Sequence, residues 1–183
     1  LEGAESTLLL CEHPPVITCG RLTQQENILS SYEMLRQKGI DIKHVDRGGD
    51  VTLHGPGQLV IYPLLDLHKF GKDLHRFLYN LEEVILTLLS DFGIQGRRHS
   101  PYTGVWVGVR MWSSYHSIGL NVNTDLRLFE FINPCGISAT MTSMQEIKKE
   151  EVDMELLKSH VLESFNKVFP MHFSQDVASR IHT

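Results

Sequence analysis

Hydrophobic residues recur along the chain at spacings that predict its helices and strands. The strongest pattern is "KDLHRFLYNLEEVILTLLSDFG", in which apolar side chains recur at helical spacing from Leu74 to Phe92 and Gly93 follows as a stop. This spacing predicts a long helix with one apolar face. A second amphipathic helix is predicted in "EVDMELLKSHVLESFNKVF". Its apolar face is formed by Val152, Leu156, Val161, Phe165 and Val168.

Short apolar runs bounded by turn residues predict several strands. "STLLLCEH" and "PPVITCG" flank Pro14 and Pro15 and are expected to form an early strand pair. "IDIKHVD", "TGVWVG" and the alternating "YHSIGLNVN" predict further strands, and "SSYEMLRQKG" predicts a short helix that ends at Gly39. "DVTLHGPGQLVIYPLLDL" predicts a strand, a tight turn at Gly55-Pro56-Gly57 and another strand.

Strands mixed with two good helices favour one fold class. We expect an α/β (α+β) fold, with a mixed sheet layered with helices, over a doubly wound parallel sheet. The chain has 183 residues, 42% of them hydrophobic and 21% charged, which suits one ordinary domain with a real core. Its net charge of -5 lacks the basic excess that nucleic acid or an anionic membrane would require. We therefore expect neither as a partner.

The cysteine count and the absence of a long apolar run bear on the compartment. Three cysteines form an odd and sparse set, which argues against a disulfide framework and for a reducing compartment. No apolar run reaches membrane-spanning length, so a soluble protein is expected. The first residue is Leu1 and not Met, so we expect the sequence to be incomplete at its start, where a targeting segment would be invisible.

Cys135 is the strongest candidate for chemistry. In "FINPCGISA" it lies between Pro134 and Gly136, which suit a bend and not a strand or helix interior. A thiolate attacks acyl carbons well when a nearby cation or base lowers its pKa. Cys11 and Cys19 lie inside apolar runs and are expected in the core. The sequence has no paired-cysteine spacing and no His-Glu-x-x-His motif, which disfavours a metal site. It also has no Gly-x-Ser-x-Gly motif, which disfavours a serine hydrolase.

The glycine-rich stretch "RGGDVTLHGPGQ" permits two interpretations. It has neither the P-loop ending nor the dinucleotide fingerprint, so nucleotide binding is weakly supported. Its glycines would let a ligand approach the backbone, while Arg47 and His54 offer donors at the two ends of one strand. The alternative is a glycine-rich hairpin in which His54 caps a turn. The local pattern leaves both open.

Several short segments are informative because they occur together and in a particular order. These are "CEHPPVITCGR", "RGGDVTLHGPGQLVIYPLLDL", "TGVWVG", "YHSIGLNV" and "INPCGI". Together they resemble the lipoyl(octanoyl) transferases of lipoate biosynthesis, from about Leu8 to Ser143. The resemblance implies a single catalytic domain over residues 1–183, with the fold of the lipoate and biotin protein ligases.

The resemblance also implies the reaction and its partners. An octanoyl group would pass from octanoyl-acyl carrier protein, the donor, to a lysine of a lipoyl domain, with no metal, nucleotide or organic cofactor. The implied acceptors are the lipoyl domains of 2-oxoacid dehydrogenase complexes and the glycine cleavage H protein. The implied compartment is the cytoplasm of a bacterium, or the mitochondrion or plastid of a eukaryote.

Residue roles follow where the motifs match. Cys135, in "PCGI", matches the nucleophile that carries the acyl group as a thioester. The matching substrate-binding residues are Arg47, Gly48, Gly49, Asp50, Val51, Thr52, Leu53 and His54, together with Ser117, Ile118 and Gly119. The last three follow His116, where the family usually has Gly-Leu-Ala or Gly-Ile-Ala. We expect their backbone role to survive the exchange of small residues.

One departure concerns the lysine with which the family lowers the pKa of its nucleophile. Similar sequences place this lysine, with an Ala-Ile-Gly substrate-contact triplet, on a segment after "TGVWVG". Here Gly108 is followed directly by Val109, and no lysine occurs between Lys72 and Lys148. We expect a sequence interrupted at this point over a natural deletion. A true deletion predicts a poorly activated thiol and a weak or dead transferase.

The expected mechanism is a ping-pong transfer through an octanoyl-Cys135 thioester. His54 or His116 could move protons near neutral pH, or could simply hydrogen-bond in a packed turn. Two other functions stay open. An ATP-dependent lipoate or biotin ligase of the same fold would not need Cys135, and a non-enzymatic relative would bind the carrier without forming an adduct.

Overall fold

The computed structural model describes residues 6–66, 68, 73–98, 109–110, 113–114, 117–134, 141–169 and 173–176. The chain forms two compact units. The first comprises the described residues of Leu1–Cys11, Ile61–Gly119 and Val152–Ser179, and the second comprises those of Glu12–Val60 and Leu120–Glu151. Cys135, His116 and the predicted strand "TGVWVG" lie outside the described residues.

Strands and helices mix along the whole described chain. The strands are β1 (Thr7–Cys11), β2 (Val16–Cys19), β3 (Asp41–His44), β4 (Val51–His54), β5 (Gln58–Asp66), β6 (Val109–Arg110), β7 (Ser113–Ser114), β8 (Ile118–Asn121) and β9 (Ser174–Asp176). The α-helices are α1 (Tyr32–Gln37), α2 (Leu74–Asp91), α3 (Met144–Lys148) and α4 (Met154–Val168). Short 3-10 helices occupy Gln25–Asn27 and Leu126–Phe131.

The strands form two mixed sheets. One has the order β6-β7-β5-β1-β9, with β8 also paired to β5, and the other has the order β3-β2-β4. Each contains parallel and antiparallel neighbours: β1 is parallel to β9 and β2 to β3, whereas β2 and β4 are antiparallel, as are β5 and β7. This combination of mixed sheets with helices confirms the predicted α/β (α+β) class.

One predicted strand pairing is wrong, because β1 and β2 belong to different sheets. β4 and β5 also belong to different sheets, which excludes the hairpin alternative for "RGGDVTLHGPGQ". Pro14 and Pro15 separate the first two strands and lack the N–H groups that a continuous ladder needs, so the chain leaves one sheet and joins another. The turn at Gly55–Gly57 does the same for β4 and β5, so "DVTLHGPGQ" is a strand, a turn and a strand, but not a hairpin.

Helix α1 begins at its predicted serine cap, and α1 and α2 both end at their predicted glycines. Asp73 caps α2 by accepting from the backbone N–H of Arg76 at 3.0 Å, and Gly93 follows with a positive φ of 72°. Ser31 caps α1 by accepting from Met34 N–H at 3.2 Å, and Gly39 follows with a φ of 71°. None of the helices in the described part of the chain is long and apolar enough to span a membrane.

The apolar faces of α2 and α4 build the core of the first unit. The buried side chains of α2 include Phe77, Leu81, Val84 and Leu88, all on the predicted face. On α4, Val161 and Phe165 are buried as predicted, but Leu156 is 50% exposed and the adjacent Leu157 is buried instead. Leu157 lies one helical turn before Val161 and two before Phe165, so it belongs to their face.

Four phenylalanine rings consolidate this core. Phe165 stacks on Phe169 with ring centroids 5.7 Å apart and meets Phe173 edge-on at 5.4 Å. Phe169 also contacts Phe77 of α2 at 5.9 Å. Ring pairs at such separations add about 0.5 to 1.5 kcal/mol beyond the area that they bury. Phe165 is therefore a central packing residue of the first unit.

Shortening Phe165 should destabilise the protein far more than shortening Leu156. We expect Phe165→Ala to lower the free energy of unfolding by about 3 to 5 kcal/mol, because it opens a cavity beneath α4. Leu156→Ala removes a half-exposed side chain and should cost less than about 1 kcal/mol. Urea unfolding followed by circular dichroism measures both. Equal losses in the two variants would contradict the assigned face of α4.

Candidate active site

The segment that begins at Arg47 is held in place by a side-chain clamp. The Arg47 guanidinium donates to the backbone oxygen of Thr18 on β2 at 2.7 Å and to the Thr18 hydroxyl at 3.1 Å. A third bond runs from Nη1 to the carbonyl oxygen of Gly48 at 2.9 Å. Arg47 thus fixes the glycine pair to the β2 strand, a role that the sequence did not reveal.

Gly20 allows this segment to approach β2 closely. A Cβ atom at Gly20 would lie 2.4 Å from the carbonyl oxygen of Gly49 and 2.9 Å from Nη1 of Arg47. Gly49 itself has a φ of 80°, which residues with a Cβ rarely adopt. The backbone N–H of Leu22 also donates to Gly49 at 3.0 Å. Gly20 of "TCGR" and Gly49 of "RGGD" are therefore both required, Gly20 by the close approach of the two segments and Gly49 by its positive φ.

Asp50 occupies the start of β4 and organises the chain around it. Its carboxylate accepts from the backbone N–H of Gln24 at 3.0 Å, from that of Val51 at 2.8 Å, and from the Asn27 side-chain amide. Asn27 in turn binds Asn133. The Asn133 backbone N–H donates to the Asn27 carbonyl at 2.8 Å, and its side-chain amide donates to Asn27 Oδ1 at 3.2 Å.

His54 occupies the other end of β4 and begins a second chain of hydrogen bonds. Its Nδ1 lies 2.7 Å from Oε1 of Gln58. The Gln58 amide nitrogen donates to Oδ1 of Asn121 at 2.9 Å, and the Asn121 amide nitrogen donates to the carbonyl oxygen of Thr142 at 3.1 Å. This series, from His54 through Gln58 and Asn121 to Thr142, is called the amide relay below.

The two networks reach both sides of the segment that contains Cys135. Asn133 is two residues before Cys135, and Thr142 follows the segment on its other side. Asp50 is linked to the first flank and His54 to the second, so both ends of β4 are tied to the chain around the predicted nucleophile. All of these residues belong to the second unit. Cys135 itself lies outside the described residues.

His54 is held in the neutral form at physiological pH. Burial lowers its pKa from 6.5 to about 4, more than the bond to Gln58 raises it. The positive charges of His13 and Arg47 act in the same direction as burial. The His13 ring lies 5.7 Å from that of His54. A neutral imidazole carries one N–H donor and one lone pair, so His54 can donate and accept at once.

The three remaining site predictions fall at the start of β8. Ile118 is buried, whereas Gly119 is exposed and Ser117 is half-buried. Ser117 forms a hydrogen bond with Tyr62 that opposes the rise of the Tyr62 pKa, which burial causes in the first place. These residues belong to the first unit, apart from the unit that contains Arg47–His54. Their predicted contact with substrate stays a prediction.

The other cysteines behave as core residues. Cys11 and Cys19 are both buried. Burial raises the pKa of the Cys19 thiol, which outweighs the opposing effect of Arg47 and keeps the thiol protonated. This confirms the prediction that both belong to the core. Among the residues that the structure describes, no group of three or more His, Cys, Asp or Glu side chains could hold a metal.

Four polar side chains of the site could not be found from the sequence pattern. Asn27, Gln58, Asn121 and Asn133 each hydrogen-bond to a residue that is distant in the chain or follows a turn. The only sequence signal was position: Asn133 directly precedes the "PCG" bend, and Gln58 directly follows the "GPG" turn. Amides at such positions are more often simple turn residues.

The mixed sheets and the polar networks at the two ends of β4 belong to an enzyme of the lipoate-ligase type, as comparison with known proteins shows. The lipoyl protein ligase A/B catalytic domain model matches residues 2–166. The chain belongs to this family. Among its relatives are octanoyltransferases, so the chain is an acyltransferase that acts in octanoyl transfer for lipoylation.

Three curated relatives illustrate the similarity. The octanoyltransferase of Thermoanaerobacter sp. (strain X514) is 43% identical, over 97% of this chain and 82% of the relative. That of Caldicellulosiruptor saccharolyticus is 46% identical, over 92% and 77%. That of Bacteroides fragilis is 39% identical, over 87% and 80%. The resemblance inferred from five short segments is therefore confirmed across most of the chain.

Solved structures agree on the fold. A lipoate-protein ligase A bound with ATP matches with a TM-score of 0.77 at 14% identity, over 97% of this chain and 78% of the other. A bi-partite lipoate protein ligase from Thermoplasma acidophilum matches with a TM-score of 0.76 at 14% identity, over 97% and 76%. At this identity the comparison establishes the shared fold alone.

The relatives also carry residues that this chain lacks. The alignment with the Thermoanaerobacter protein spans 189 positions, more than the 183 residues of this chain. Some positions within the aligned region therefore have no counterpart here. The missing segment expected between Gly108 and Val109 stays a prediction.

Adding a methyl group at Gly20 should damage the site, whereas adding one at Gly48 should not. Gly20→Ala places Cβ against backbone and should cost about 2 kcal/mol or more of unfolding free energy. The Cβ of Gly48→Ala meets no atom of the described residues within 4 Å, and this variant should stay within about 0.5 kcal/mol of the parent protein. Urea unfolding measures both. A Gly20→Ala protein as stable as the Gly48→Ala protein would contradict the close approach.

The pKa of His54 should make the protein less stable in mild acid. The unfolded chain binds a proton on His54 near pH 6.5, but the folded chain does so only near pH 4. The contribution of neutral His54 is therefore present above pH 6.5 and is lost as the pH falls toward 4. Urea unfolding at pH 7.5 and 4.5 should show a smaller loss for His54→Gln than for the parent. Equal losses would show that His54 titrates normally.

Proposed function

We propose that the protein transfers an octanoyl group from octanoyl-acyl carrier protein to a lysine of a lipoyl domain through a thioester on Cys135. The observation that carries the proposal is the double attachment of β4. Asp50 and His54, at its two ends, are linked by hydrogen bonds to the residues on either side of the Cys135 segment. A strand that the resemblance assigns to acyl binding is thus joined to the segment that it assigns to nucleophilic attack.

The proposed chemistry exchanges one thioester for another and then for an amide. In the first step the Cys135 sulfur attacks the octanoyl carbonyl carbon. A new C–S bond forms, the carrier C–S bond breaks, and the carrier thiolate takes up a proton. In the second step the lysine amine attacks the same carbon. A C–N bond forms, the bond to Cys135 breaks, and the proton lost by the amine returns to the sulfur.

The apolar acyl chain supplies binding energy without any further group. Each buried CH2 contributes about 0.8 kcal/mol, so an octanoyl chain would contribute on the order of 5 kcal/mol. No atom of the described residues lies within 4 Å of the position that a Cβ on Gly48 would occupy, so the described part of the chain leaves this space open beside the segment proposed to line the acyl site. We propose that Arg47 through His54, together with Ser117 through Gly119, contact this chain and its thioester.

Activation of the thiol is the step that sets this chain apart from the family pattern. The chain has no lysine between Lys72 and Lys148, and Val109 directly follows Gly108. A cysteine without a nearby cation has a pKa of about 8.5 and is mostly protonated at neutral pH. We therefore propose that a protein in which Val109 truly follows Gly108 would acylate Cys135 slowly, because few molecules would carry the thiolate.

The acceptors follow from the relatives. A matching structure from Thermoplasma acidophilum is described as a bi-partite lipoate protein ligase and its E2 lipoyl domain. We propose lipoyl domains of 2-oxoacid dehydrogenase complexes and the glycine cleavage H protein as acceptors, and acyl carrier protein as the donor. These partners would present a lysine and an octanoyl thioester, the two groups that the proposed steps consume.

An ATP-dependent ligase is the second candidate, and one observation favours it. A structural relative of the same fold is a lipoate-protein ligase A bound with ATP. Such an enzyme would activate a free acid and would not need Cys135. Incubation of the protein with a lipoyl domain and either octanoate with ATP or octanoyl-carrier separates the two. We expect amide formation from octanoyl-carrier only.

Intact-mass analysis after exposure to octanoyl-carrier tests the thioester directly. We expect the parent protein to gain the mass of one octanoyl group and to lose it again when a lipoyl domain is added. Cys135→Ala should gain nothing. Cys11→Ala and Cys19→Ala serve as matched controls, because each removes a buried thiol and keeps Cys135. Both should still be acylated.

The same measurement can overturn the proposal. Acylation of Cys135→Ala to the extent of the parent would place the acyl group elsewhere. An unmodified parent that nevertheless transfers octanoyl to a lipoyl domain would exclude the covalent intermediate and leave direct transfer. Slow acylation that speeds up at higher pH agrees with a thiol that lacks its activating lysine.

A further inference from the structure

The carbonyl oxygen at one end of the amide relay fixes which atoms of the relay donate and which accept. The carbonyl oxygen of Thr142 can only accept a hydrogen bond, so the side chain of Asn121 must turn its NH2 group toward it. The other end of the Asn121 amide, Oδ1, therefore faces Gln58. An oxygen acceptor must receive a donor, so Gln58 has to present its own NH2 group to Asn121.

A second carbonyl confirms the orientation of Gln58 independently. The Gln58 amide nitrogen also lies 3.3 Å from the backbone oxygen of Leu53, which again can only accept. Both N–H groups of the Gln58 amide are thus used, and Oε1 is the atom that faces His54. Gln58 is buried, so water does not compete freely for these bonds.

We propose that Gln58 and Asn121 are positioning residues that hold His54 in the tautomer with its proton on Nδ1. Because Oε1 of Gln58 is an acceptor, the Nδ1 atom at 2.7 Å must be the donor. The neutral ring then has its lone pair on Nε2. Nε2 of His54 is therefore a hydrogen-bond acceptor of fixed direction at the end of β4. The carbonyl oxygen of Thr142 fixes the position of the ring proton through Asn121 and Gln58.

The use of this acceptor rests on the proposed function. The proposed reaction contains two donors that need orienting, the thiol of Cys135 and the amine of the acceptor lysine. Acceptance by Nε2 of a hydrogen bond from either would aim the attacking lone pair of that group without transferring a net charge. If the proton were on Nε2, that nitrogen would itself be a hydrogen-bond donor. It would then repel the thiol and the amine, which are donors too.

Nitrogen NMR of the substrate-free protein tests the tautomer apart from any activity. In protein labelled with 15N on histidine, correlations from the ring carbon-bound protons distinguish a protonated Nδ1 from a protonated Nε2. The spectrum of His54→Gln identifies the His54 signals by their absence. We expect the parent to show Nδ1–H throughout neutral pH. A parent ring protonated on Nε2 overturns the proposal.

Two substitutions at Gln58 separate positioning from mere packing. Gln58→Glu keeps an oxygen acceptor opposite Nδ1 but loses the N–H donors to Asn121 and Leu53, so the protein should lose stability while the Nδ1–H tautomer persists and the new negative charge raises the pKa of His54. Gln58→Leu removes the acceptor, and the ring should distribute between both tautomers. A purely structural Gln58 would give equal loss of stability in both variants with no change of tautomer, which would contradict the proposal.

Asn121→Ala tests the far end of the relay. Gln58 would then be oriented only by the longer bond to Leu53, so we expect a minor population of the Nε2–H tautomer to appear. An unchanged spectrum would remove Asn121 from the relay. Single-turnover octanoyl transfer should fall about tenfold in Gln58→Leu, as expected for one lost hydrogen bond, and less in Gln58→Glu. If the parent transfers no octanoyl group, the proposed function fails while the NMR result still decides the tautomer.

Discussion

The arrangement of the second unit depends on two groups that can only accept hydrogen bonds. One is the Asp50 carboxylate at the start of β4, and the other is the carbonyl oxygen of Thr142 beyond the Cys135 segment. Every amide that meets them must turn its nitrogen toward them. Asn27 and Asn121 therefore have one permitted orientation each, and the residues bonded to them inherit it. A satisfied polar network of this kind specifies a single arrangement more strictly than apolar packing alone.

The two networks differ in what they control. The Asp50 network fixes backbone, because Asn27 receives both the backbone and the side-chain N–H of Asn133. The amide relay instead fixes a ring, because it ends on the buried imidazole of His54, whose pKa of about 4 keeps it neutral. The Asp50 network therefore fixes the backbone at Asn133, close in sequence to the predicted nucleophile. The amide relay fixes which nitrogen of the His54 ring can accept a proton or a hydrogen bond.

Much of the fold could be predicted because it follows from side-chain period and from caps. The spacing in α2 identified its buried face, and Gly39 and Gly93 ended helices with the positive φ expected of them. Strand partners could not be predicted, because pairing depends on contacts far apart in sequence. The resemblance predicts an acyl-binding segment, but not the amides that hydrogen-bond to it. On α4, Leu156 was predicted to be buried, but its neighbour Leu157 is the buried residue. An error of one position is enough to exchange a residue at the edge of the apolar face for one at its centre.

The hydrogen bonds at the two ends of β4 also determine whether folding or substrate binding carries the entropic cost of holding Asn133 and Thr142 in place. Closing a loop between two fixed points costs conformational entropy, which a substrate must supply if its arrival is what brings the ends together. Here Asn133 and Thr142, on either side of Cys135, are held by bonds that form when the second unit folds. The anchoring cost therefore falls on protein stability and not on octanoyl affinity. A substitution in either network should accordingly lower the free energy of unfolding even where octanoyl affinity is unchanged.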